Sequence, residues 1–140
     1  MTEFSNKYDL EERTAKFGEN VIEFCQKSEQ TVITRPIISQ LIRLATSVGA
    51  NYAEANGASS KQDFRNKIFT FVESERVITS DICKKEIQET RHWLRMFAKA
   101  LPDARDRLRP LWQECQKLTL IFGKISSTLR GKTDKLKFDD

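Results

Sequence analysis

The stretch LRPLWQECQKLTLIFGKISSTL, Leu108 to Leu129, carries the clearest periodicity in the chain. Leu108, Leu111, Cys115, Leu118, Phe122, Ile125 and Leu129 follow one another at alternating short steps of three and four residues. Such steps average the helical turn and lay the apolar side chains along one face. A helix with one apolar stripe must bury it against partners, so the segment reads as one wall of a helical bundle. Gly131 is expected to stop it, leaving residues 132–140 as a short, charged, mobile tail.

Three further segments follow the same logic. Leu10, Thr14, Phe17, Val21 and Phe24 form one stripe of a helix expected from about Leu10 to Ser28. Pro36 suits the first turn of a second helix, where its missing N–H is no loss. That helix is expected to run to Asn56, with Ile37, Ile38, Leu41, Ala45, Val48, Tyr52 and Ala55 inward and Asn56-Gly57 as its stop. It is rich in small residues, and Gly49 in its middle costs about 1 kcal/mol relative to Ala. Close approach by a neighbouring helix would compensate. Ser59 and Gln62 fit a capping box that opens a third helix near Ser60, continuing to about Ala100. Its stripe begins as Phe64, Ile68, Phe71, Ile78, Ile82 and then slips by one residue to Cys83, Ile87, Thr90, Leu94, Phe97, Leu101. Four amphipathic segments with short connections predict an antiparallel up-and-down four-helix bundle over residues 1–131.

Composition agrees. The 140 residues suit one domain able to bury a core without disulfides. Five glycines and three prolines are too few for the turns of an all-β fold. No apolar run approaches the roughly 18 residues of a membrane span, and the polar start does not read as a signal peptide. A cytoplasmic protein with no membrane partner is expected.

No arrangement of residues reads as a catalytic or cofactor site. The dinucleotide, phosphate-loop, zincin and nucleophile-elbow motifs do not occur. Cys25, Cys83 and Cys115 are far apart and His92 is the only histidine, so no metal is expected. Glu89 precedes His92 by three residues, but a bundle di-iron site needs two such pairs. The cysteines read as reduced, packed thiols. No enzyme, no cofactor and no small-molecule substrate are expected.

Charge is more informative. Residues 1–30 hold seven acids and four bases, whereas residues 31–140 hold thirteen acids and twenty bases. The bases cluster from Lys84 onward: Lys84, Lys85, Arg91, Arg95, Lys99, Arg105, Arg107, Arg109, Arg130 and Lys132. Arg91, Arg95 and Lys99 recur every four residues and share one side of a helix. Such a ridge can track phosphates, and it can equally be a solvated surface. Glu54, Glu86 and Glu89 are candidates for inward links to Arg43 or Arg91, or for solvated positions with pairing along the helix. Trp93 and Trp112 read as exposed aromatics at an interface or at the bundle edge.

Three stretches resemble a known family. They are Gln40 to Ala55 (QLIRLATSVGANYAEA), Ser59 to Phe64 (SSKQDF) and Lys85 to Leu94 (KEIQETRHWL). Together they are similar to the bacterial four-helix bundle proteins encoded by intervening sequences within large-subunit ribosomal RNA genes. The likeness spans about residues 8–130. It implies a bundle assembling into a homopentameric ring, and kinship with the basic pentameric accessory proteins of diversity-generating retroelements, which bind a reverse transcriptase and nucleic acid. Within this frame Arg43, Gly49, Asn51, Tyr52, Glu54, Glu89, Trp93 and Trp112 are the candidates for helix packing or interfaces. One departure stands out: Thr70 to Asp81 looks inserted relative to the family. About twelve residues add roughly 3.3 turns, so the segment either lengthens the third helix by about 18 Å or loops out.

Two functions are consistent with these features: a non-catalytic oligomeric bundle that binds structured RNA or a ribonucleoprotein, or a protein–protein scaffold. A ring of five copies predicts a light-scattering mass near five times 16.3 kDa; a clean monomer mass would exclude it.

Overall fold

The computed structural model describes the backbone of residues 9–66 and 69–139 and the side chains of residues 9–54 and 76–131. Among the described residues there are four α-helices and no strand: α1 (Leu10–Gln26), α2 (Thr34–Asn66), α3 (Phe69–Ala100) and α4 (Arg105–Asp139), with a 3-10 turn at Pro102–Ala104 before α4. No helix among the described residues is long and apolar enough to cross a membrane. Each helix packs chiefly on its neighbours in sequence, and α1 meets α4 only sparsely.

The elements form where local chemistry directs them. Leu10, Thr14, Phe17, Val21 and Phe24 of α1 are all buried. The start of α2 is set by two threonines. The Thr31 hydroxyl accepts from the backbone N–H of Ile33 (3.2 Å) and Thr34 (3.1 Å), while the Thr34 hydroxyl accepts from the N–H of Thr31 at 2.8 Å. This reciprocal arrangement takes the place of a capping box, with Thr instead of the usual Glu. In α4, Leu108, Leu111, Cys115, Leu118, Phe122 and Leu129 are buried as the stripe predicts. The largest fully buried side chains include Phe17, Phe97, Phe122, Leu41 and Leu94, each worth about 1.5–3 kcal/mol of burial.

Specific contacts establish the register. Gly49 lies against the backbone of Thr14 and Ala15, and Gly18 against that of Ala45 and Thr46, so α1 and α2 approach backbone to backbone at two points. The Cys83 thiol donates to the carbonyl of Val48, and Asn51 Nδ2 donates to Glu86 Oε1 at 2.8 Å, joining α2 to α3. Ser80 donates to the Phe122 carbonyl at 2.8 Å, and Arg130 pairs with Asp81, joining α3 to α4. Arg13 grips Glu114 through two 2.8 Å hydrogen bonds, linking α1 to α4. Phe24 meets Phe97 edge-on across the interior at 5.0 Å.

Several expectations are corrected. α2 does not stop at Asn56-Gly57 but continues to Asn66, and the Ser59–Gln62 box falls inside it. Likewise α4 passes through Gly131 to Asp139 instead of ending in a tail. A glycine stop requires a left-handed residue, and no described glycine has positive φ; the roughly 1 kcal/mol cost of a helical glycine is smaller than the gain from further backbone pairing. The Thr70–Asp81 segment does not loop out: it is helical and forms the beginning of α3. Ile78 and Ile82 are 60% and 45% exposed, whereas Ser80 is buried in line with Cys83, Ile87, Thr90, Leu94 and Phe97. The inward stripe therefore continues upstream through Ser80. Phe64, expected on the third helix, lies in α2, and the third helix begins at Phe69 instead of near Ser60; Ile68 and the side chains of Phe64, Phe71 and Lys132 lie outside the described residues.

The glycine contacts give a graded prediction. A Cβ at Gly49 would meet α1 backbone at 3.4 Å, which is ordinary contact. Gly49→Ala should be neutral or stabilising by up to about 1 kcal/mol, whereas Gly49→Leu should force α1 away and cost about 1–3 kcal/mol. Urea unfolding of both variants measures the difference.

Candidate nucleic-acid interface

The apolar stripe of α3 divides its polar residues between two flanks. On the flank facing α2 lie Glu86, bonded to Asn51, and Glu89, one turn on. On the flank facing α4 lie Lys84, whose ammonium reaches the backbone near Gly123, then Arg91, Arg95 and Lys99. From Glu86 onward α3 thus turns Glu86 and Glu89 toward α2 and Arg91, Arg95 and Lys99 toward α4, whereas Asp81, nearer its start, meets Arg130 of α4.

Across the seam α4 supplies the matching wall. Arg95 and Lys99 of α3 and Arg105 and Arg109 of α4 line an open groove of about 520 Å³ together with Leu108 and Trp112. Its remaining lining, Met96 and Ala98, is apolar. Trp112 is half-buried, not exposed, and so is Trp93. The Arg91 guanidinium, outside the groove, lies 5.7 Å from the Trp112 ring centroid, a cation–π distance. Below it a second shallow groove takes in Arg91, Lys117, Gln113 and Leu120. The C-terminus of α3 and the N-terminus of α4 meet here, and their opposed end charges largely offset one another. The positive character comes from side chains. Asp106 contacts Arg109 at 3.6 Å, but both are exposed, so the pair removes little of that charge.

Other candidates go elsewhere. Arg107 projects toward α1, with its guanidinium 5.0 Å from the Phe24 ring and a 3.3 Å hydrogen bond to the Ser28 hydroxyl. Arg130 is engaged by Asp81 of α3. Lys85 is exposed on the solvent side of α3. The expected pairing of Glu86 with Arg43 or Arg91 is replaced by Asn51; Arg43 instead donates to Gln40 on its own helix at 2.8 Å, and Glu54 is exposed. Asn51 and Tyr52 serve packing within the chain, Tyr52 meeting Phe122 edge-on at 6.1 Å. His92 sits exposed against Trp93. Sequence reading misses the Arg13–Glu114 fork, the place of Trp112 in the groove and the contribution of Lys117. It also groups Arg107 with Arg105 and Arg109, although a two-residue offset turns a side chain about 200° round a helix.

Chemically, the groove presents positive charge, hydrogen-bond donors and an aromatic surface, a set that suits phosphate and base rather than acid–base chemistry. The three thiols are buried and free. Desolvation pushes Cys25 up to about 11, and Cys83 and Cys115 up to about 12. No protein-family model, curated protein or solved structure matches this chain.

Raised thiol values mean that almost no thiolate exists near neutrality, and thiolate is the reactive form. A disulfide reagent at pH 8 should leave the native chain unlabelled and modify all three cysteines in urea. Rapid native labelling would contradict the packing of the helix that bears the labelled residue.

Proposed function

We propose that this chain is a non-catalytic oligomeric bundle that associates with structured RNA or a ribonucleoprotein through the seam between α3 and α4. The observation that carries the reading is the groove in which Arg95, Lys99, Arg105 and Arg109 converge from two helices beside Trp112. Cations on two facing walls can hold a phosphate from both sides, which a single exposed ridge cannot. The likeness to the intervening-sequence bundle proteins supports the same direction and brings the homopentameric ring with it. A ring would repeat the groove once per copy, and repeated weak contacts give avidity.

A protein scaffold is the second reading. It is favoured by Leu120, 75% exposed beside the seam, and by the exposed Ile78 of α3. Ionic strength separates the two, because phosphate contacts release counterions and apolar contacts do not.

Fluorescence anisotropy with a labelled RNA hairpin across a salt series tests the proposal. Affinity should fall steeply with salt, and Arg95→Glu with Lys99→Glu should lower it by at least about tenfold with unchanged helicity, roughly 1.4 kcal/mol. Arg91 is a poor choice for reversal because it packs on Trp112. No binding at low salt would remove RNA association and leave the scaffold.

A further inference from the structure

The groove is narrow as well as basic. Adjacent packed helices sit about 8–10 Å apart, so the concavity between α3 and α4 is far narrower than a nucleic-acid duplex. Its volume of about 520 Å³ lies within the range that encloses a small organic group. A duplex laid across this face would touch the rims with its phosphates and leave Trp112 uncontacted. A single strand has no such restriction: its bases can turn inward while the backbone follows the cationic walls.

We propose that this groove takes one unpaired nucleotide of a single-stranded segment, with its base against the Trp112 indole and the adjoining phosphates held by Arg95 and Lys99 on one wall and Arg105 and Arg109 on the other. This rests on the RNA reading above and narrows it to loops, bulges or ends. Three observations support it. Trp112 is half-buried and lines the groove together with the four cations. Arg91 lies over the indole from outside the groove and so helps to fix the ring in place. Leu108, Met96 and Ala98 surround the ring with apolar surface, which suits the face of a base and offers no acceptor that competes with phosphate. The cleft between α1 and α4 is of similar size, about 610 Å³, but there Asp9, Glu12 and Glu114 balance Arg13, Lys16 and Lys117, so it lacks the excess of positive charge that the groove has. Recognition by stacking tolerates every base, so preference for unpaired over paired RNA is expected to exceed preference among sequences.

The test compares a fluorescein-labelled RNA hairpin with a ten-nucleotide loop (a length on the order of one binding site), the loop alone as a linear strand, and a blunt duplex of equal phosphate number. The hairpin and the linear strand should bind at least about tenfold tighter than the duplex. Trp112→Ala should weaken them about five- to 150-fold while leaving the slope of affinity against salt unchanged; Trp112→Phe should recover most of the loss. Trp93→Phe leaves Trp112 as the sole tryptophan of the two in the chain, and its emission should be quenched by the linear strand. That arm holds even if Trp112→Ala unfolds the bundle. Equal binding of duplex and single strand, with no quenching of Trp112, would overturn the single-strand assignment and leave RNA association standing. Failure of all three RNAs to bind at low salt would overturn both.

Discussion

The burial of one stripe of α3 between α2 and α4 governs the rest of the molecule. Ser80, Cys83, Ile87, Thr90, Leu94 and Phe97 are withdrawn from water together, and with them in place no other rotation of α3 is available. Every flanking residue then has an assigned side. Glu86 faces Asn51, Lys84 faces Gly123, and Arg91 faces Trp112. Turning the helix by one residue, about 100°, would bring Lys84 inward and carry Cys83 out. The separation of Glu86 and Glu89 from Arg91, Arg95 and Lys99 is thus a by-product of apolar packing, and the basic groove inherits its position from the core.

Long, strongly periodic patterns are legible in the amino-acid sequence itself. The stripes of α1 and α4 and the downstream stripe of α3 hold the same residues in sequence and in the fold, because a burial pattern repeated over many turns outweighs local exceptions. Stops are poorly legible. Gly57 and Gly131 are favourable stop residues, yet both sit inside helices, since a stop signal acts on one residue while an adjoining helix rewards continuation along its whole length. The start of α2 is hard to read in detail for a related reason: Thr31 and Thr34 cap each other without the Glu or Gln that marks the usual box.

The site is legible as a list of bases and illegible as an arrangement. Arg91, Arg95 and Lys99 share a helical side by spacing alone, and Arg105 with Arg109 repeats that spacing on α4. What joins the two rows into one groove is the pairing of α3 with α4, which depends on contacts between residues far apart in sequence, such as Ser80 with Phe122. Trp112, one residue off the apolar stripe, reads from sequence as an edge residue. Only the position of Arg91 and of the opposite wall makes it part of a groove.

The sequential packing of the bundle has a kinetic consequence. Because α1 rests on α2, α2 on α3 and α3 on α4, with little between α1 and α4, most native contacts join residues brought near by a short connection. Chains of this kind have low contact order and cross small loop-closure barriers, which places folding in the microsecond-to-millisecond class. Among the described hydrogen bonds the most distant closure is the Arg13–Glu114 fork, |i−j| = 101, followed by Arg107 to Ser28, |i−j| = 79. The side chains of the fork remain a quarter exposed, so the fork fastens a structure already formed rather than directing its formation. The contact of α1 with α4 is in this sense the last of the bundle to be secured.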